Sequence, residues 1–129
     1  MPTNPSEFPI VFEKLKTILS PHAKKLIVKV DTPAAYSLDG PHSEKWKKEL
    51  FFGSVQVKKS YVSFYLMPVY MYPDLLKEIS PELKKHMQGK SCFNFKTVEK
   101  SLFEELSQLT KQGFERFMKA EYSEFNSHS

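Results

Sequence analysis

The chain has 129 residues, which at about 100 to 200 residues per domain is room for one domain, able to bury most of its unfolded surface without a metal or disulfide. A hydrophobic fraction of 40% with 26% charged residues is globular in character and excludes disordered, collagenous and membrane-spanning classes. The formal net charge of +4 gathers in residues 1–60, with ten lysines against six acids, yet Arg116 is the only arginine and lies outside that half. Phosphate and guanine contacts favour the guanidinium fork, so the lysines read as a solvated surface and nucleic acid is not the expected partner.

Phe8, Val11, Phe12, Leu15, Ile18 and Leu19 recur at the spacing of one helical face, which predicts an amphipathic helix over 7–19. Ser6 is placed to cap it, Pro9 falls in a first turn whose amides lack partners, and Ser20-Pro21 is expected to end it. From Leu26 to Asp31 the period becomes two, predicting a strand with Leu26, Val28 and Val30 on one side. Residues 32–49 contain Pro33 and Asp39-Gly40-Pro41 among charges, and read as a turn-rich connection with a short strand at 35–38.

Residues 50–58 and 61–67 form an antiparallel hairpin in which Val57 opposes Val62, Val55 opposes Phe64 and Gly53 opposes Leu66 on an apolar face. The other face then pairs Gln56 with Ser63, Ser54 with Tyr65 and Phe52 with Met67. Lys59-Ser60 lacks the chemistry of a tight two-residue turn, so a four-residue loop is expected. Val69 to Tyr72 is expected to continue extended after Pro68, with short helical turns opening at Pro73-Asp74 and at Pro81 after Ser80. Phe93 and Phe95 alternate with polar residues in a final strand over 91–96. Ser101 and Glu104 have the spacing of a capping box ahead of a long helix to about Ala120, in which Gly113 implies a close neighbour; the tail beyond is expected to fray.

The order predicts an α+β fold: a two-layer sandwich with an antiparallel sheet of about four to six strands and both terminal helices on one face. One domain spans 1–129, with its core at about 8–120.

The runs Phe52-Gly53, Lys58-Lys59-Ser60-Tyr61-Val62-Ser63-Phe64, Leu66-Met67-Pro68, Pro81-Glu82-Leu83-Lys84-Lys85 and Gly89-Lys90-Ser91-Cys92-Phe93-Asn94-Phe95 carry a resemblance. Over residues 8–120 the chain resembles the YdhG-like bacterial proteins, a domain family of unknown function whose fold is similar to frataxin. That resemblance implies, as an alternative function, an iron carrier or chaperone acting through acidic residues on the first helix. Here that helix offers Glu7 and Glu13 among Lys14 and Lys16, and no metal ligand is carried over.

The residues themselves specify no catalytic constellation and no cofactor. Cys92 has no base placed by spacing, and His22, His42, His86 and His128 are scattered rather than clustered as metal ligands. Gly89-Lys90-Ser91 lacks the upstream glycine of a phosphate loop and leads into a strand. Glu104-Glu105, and Glu78 with Glu82, read as solvated helix charges. The remaining feature is aromatic. Phe52, Ser54, Tyr65 and Met67 are expected at the centre of a helix-free sheet face, with Tyr36, Trp46, Tyr70 or Tyr72 close by. The expected function is therefore a non-enzymatic module binding a small molecule, a protein or a second copy of the chain. One cysteine, no apolar span and no signal-like start make a cytoplasmic location the expectation.

Overall fold

The computed structural model describes residues 7–44 and 46–127, with side chains described through Ala120. Helix α1 (Phe8–Leu19) buries the predicted stripe, its six apolar positions all lying in the core. Ser6 lies outside the described residues, and Glu7 at the cap position makes no side-chain capping bond. The α-helix ends at Leu19 as expected, and Ser20-Pro21 opens a 3-10 turn over Ser20–Lys25, where proline's missing N–H is tolerated near the start.

Strand β1 (Ile27–Thr32) pairs with β2 (Ala35–Ser43), but the register slips between Val28 and Val30. Leu26, expected on one side with Val28 and Val30, precedes the strand and is buried, while Val28 and Val30 remain 45% and 39% exposed. Strand β2 is longer than the expected segment 35–38. It takes in Asp39-Gly40-Pro41 by two register shifts, so that Pro41, which has no N–H to give, falls in an irregular stretch of the ladder.

Strands β3 (Lys48–Val57) and β4 (Val62–Leu66) adopt the predicted hairpin register through five pairs from Val57–Val62 to Gly53–Leu66. The connection is closed by Lys58 N donating to Tyr61 O at 2.8 Å. The expected Phe52–Met67 pair is absent, because Met67 starts a short helix, α2 (Met67–Met71), where an extended segment is predicted. Pro68 sits in its first turn, a position in which the missing donor costs nothing.

A 3-10 turn at Pro73–Glu78 and helix α3 (Pro81–Lys84) follow, the latter capped by Ser80 Oγ accepting from Leu83 N at 3.1 Å. Two-residue strand β5 (Met87–Gln88), which the pattern did not reveal, pairs with β6 (Cys92–Phe95). Helix α4 (Lys100–Ser127) starts early enough to place Ser101 inside it rather than at a cap, and continues past Ala120.

The sheet order is β1-β2-β3-β4-β6-β5, antiparallel throughout, with α1 and α4 packed together on one face. This is an α+β two-layer sandwich. Glu105, expected to be solvated, instead accepts from both Ser80 N at 2.6 Å and Ser80 Oγ at 2.7 Å, tying α4 to the start of α3. Gly113 meets α2 closely, since a Cβ there would lie 3.0 Å from Pro68 Cβ.

A β-bulge in β3 governs how the layers meet. Leu38 opposes Gly53 and Asp39 opposes Phe51, leaving Phe52 as the extra residue. Phe52 and Gly53 consequently both turn toward the helices. The Phe52 ring makes edge contacts with Phe114 and Phe117 of α4 at 5.7 and 5.3 Å, and Leu19 of α1 closes over Gly53, where a Cβ would be 2.9 Å from Tyr65 O. Replacing Phe52 with alanine is expected to cost about 3–5 kcal/mol in denaturant unfolding, against about 0.5 kcal/mol for an open-face position.

His22, from the turn after α1, packs at 4.7 Å against Phe114 and edge-on to Phe52. Burial lowers its pKa below the usual value, Lys111 adding to the effect and Glu115 opposing it. The unfolded chain thus takes up the proton first. The His22 contribution to stability is full above about pH 6.5 and is lost as pH falls from there through the lower folded value. His22→Leu should flatten that part of the stability profile, measured by urea unfolding from pH 7.5 to 5.

Candidate functional site

The structure divides the six residues predicted for the open sheet face. Phe52 and Tyr36 are not on it. The bulge turns Phe52 into the helix interface, and Tyr36, opposite Val55, is only 4% exposed, with Lys16 Nζ 5.0 Å above its ring and bonded to Asp31 at 3.0 Å. Ser54 and Tyr65 do oppose each other away from the helices. Met67 and Trp46 lie at one end of this face, on α2 and in the β2–β3 turn.

The middle of the open face is a belt of interlocked polar side chains. Lys58 Nζ donates to Gln56 Oε1 at 2.8 Å, and Gln56 Nε2 reaches Ser54 Oγ at 3.4 Å. Across β4 and β6, Ser63 Oγ donates to Asn94 Oδ1 at 2.7 Å, and Asn94 Nδ2 donates to Gln88 Oε1 at 2.7 Å. Ser54 and Ser63 are buried beneath their longer neighbours. Tyr65 carries Lys58 Nζ 5.9 Å from its ring centroid and stands opposite Cys92. Burial raises the Cys92 thiol above its usual pKa, partly offset by hydrogen bonds with Ser63 and Tyr65 and by the charge of Lys58.

Beyond this belt the face ends in an apolar bay of about 470 Å³. Phe51 and Asp39, paired across β2 and β3, reach it because the bulge re-aims the strand upstream of Gly53. Trp46 is set on its rim by a tight turn in which Ser43 Oγ accepts from Trp46 N at 3.2 Å and Lys47 adopts φ 59°. Helix α2 supplies Met67, Tyr70 and Met71, held in place by Pro68 against Gly113.

Tyr70 lines the bay, whereas Tyr72 does not: Arg116 stacks 4.7 Å from its ring centroid while gripping Asp74 at 2.9 and 3.3 Å. Phe51 and Asp39 are hidden from sequence reasoning because strict alternation assigns Phe51 and Phe52 to faces opposite to those the bulge produces, and Met71 because α2 stands where an extended segment is expected.

Among the described residues, no group of three or more His, Cys, Asp and Glu is placed to hold a metal ion, and no helix is long and apolar enough to cross a membrane. Comparison with family models, curated proteins and solved structures finds no match.

Because its protonated form is favoured, Cys92 should react with a disulfide reagent more slowly at pH 8 than an unstructured cysteine. The rate should rise with pH along a profile displaced upward, as followed by release of the reagent chromophore.

Proposed function

We propose that this protein is a non-enzymatic binding module whose ligand enters the bay beside Trp46 and extends over the adjoining open face, above Ser54 and Tyr65. One observation carries this reading: Trp46 and Tyr70, 49% and 55% exposed, flank an apolar concavity walled by Phe51, Met67 and Met71. The volume is that of a small-molecule pocket, and large aromatics grouped around such a space mark ligand surfaces more often than isolated exposed ones do.

The neighbouring chemistry favours binding over turnover. Cys92 lies among Ser63, Tyr65 and Asn94, none of which is a general base at neutral pH, and His86 Nδ1 is engaged with Asn94 O at 2.8 Å. The likeness to the YdhG-like family rests on element order and the runs quoted above, and names no ligand. Its iron-handling alternative has little support from a first helix carrying Lys14 and Lys16.

Methionine methyl spectra test the proposal. Screening soluble fragments against methyl-labelled protein should move the Met67 and Met71 methyls and the Trp46 indole N–H, leaving Met87 and Met118 in place. Shifts confined to Met87 or Met118, or none at millimolar fragment, overturn it.

A further inference from the structure

We infer that the bay selects a small organic cation of the alkylated ammonium class, a deepening that rests on the bay reading above. Trp46, Tyr70 and Phe51 line the same space, and aromatic rings attract ammonium groups, more strongly when water is excluded. Tyr70 already carries one, Lys90 Nζ at 5.9 Å from its centroid. The thioether side chains of Met67 and Met71 add polarizable, uncharged wall, suited to the methyl groups of an alkylated nitrogen rather than to its hydration shell.

The charge that completes the site is Asp39. Two carboxylates line the bay, Asp39 and Glu49, with Lys48 also on its lining. Glu49 is occupied, since Lys29 reaches across the sheet from β1 to pair with it. Among the described residues Asp39 has no such ion pair and receives no side-chain hydrogen bond; it senses Lys29 and Glu49 only through space. It is nonetheless half-buried, and burial raises its carboxyl pKa, with Lys29 opposing and Glu49 assisting. A partly desolvated carboxylate without a direct partner, at the edge of an aromatic bay, gains most from a cation that cannot itself lose charge. A quaternary or highly alkylated ammonium also fills the apolar walls, which a metal ion or a hydrated ammonium cannot.

Trp46 is the only tryptophan in the chain, so its emission reports on the bay directly. Choline and its uncharged carbon isostere dimethylbutanol are titrated against the full chain while Trp46 fluorescence is followed. Choline should give a saturable change and bind about tenfold or more tighter than dimethylbutanol. Asp39→Asn should remove most of that preference, and Asp39→Glu should restore it, which separates loss of charge from loss of fold. Equal affinity for the two probes, or choline binding unaltered in Asp39→Asn, overturns the cation inference while leaving the bay intact as a neutral ligand site. Absence of any Trp46 response to choline also overturns it, and the methionine spectra then decide the bay reading separately.

Discussion

The bulge at Phe52 is the constraint on which both layers depend. An uninterrupted β3 would send one of Phe52 and Gly53 to each side of the sheet. With the extra residue, both turn inward and serve different helices: Phe52 gives α4 an aromatic anchor, and Gly53 withdraws its side chain so that α1 can approach through Leu19. Upstream of that point the strand's alternation is inverted relative to the downstream half. Phe51 and Asp39 are thereby delivered to the helix-free side, where they join Trp46 and α2. Core packing and candidate site thus follow from a single insertion in one ladder.

How much of this the sequence discloses depends on whether a signal is local. The α1 stripe, the Val57-to-Gly53 register and the Phe93/Phe95 alternation are periodic patterns over short stretches, and the structure reproduces them. The two-layer arrangement followed from element order. What was not legible is every place where a strand departs from period two: the slip at Val28/Val30, the passage of β2 through Pro41, and the bulge itself. Nothing in Phe51-Phe52-Gly53 says which phenylalanine is inward, because both are apolar and the deciding contacts lie more than 60 residues away at Phe114 and Phe117. Of the side chains expected on the open face, Phe52 and Tyr36 lie in the core, whereas Phe51 and Met71 line the bay. Helix α2 is not legible in the sequence because a proline such as Pro68 suits a first helical turn as well as it interrupts a strand.

The segment between β4 and β6 illustrates how short elements are held by ties to a long one. Neither α2 nor α3 is long enough to be stable alone. Pro68 seats α2 against Gly113, the Ser80–Glu105 bonds fix α3, and Arg116 grips Asp74 in the intervening turn, so α4 serves as a common spine. The exposed ion pair contributes little by itself. The glycine contact and the capping serine are buried or half-buried and carry more, and the glycine contact, through Pro68, sets where Met67, Tyr70 and Met71 stand.

The two margins of the sheet also shape how copies of the chain can meet. An edge strand with a regular, unpaired ladder is a template for end-to-end polymerisation. Here one margin, β1, is kinked by its register slip and carries Lys29 and Asp31, and the other, β5, is two residues long and ends at Gly89 in a left-handed conformation. Neither offers a straight run of free donors and acceptors, so the sheet is poorly suited to growth by strand addition.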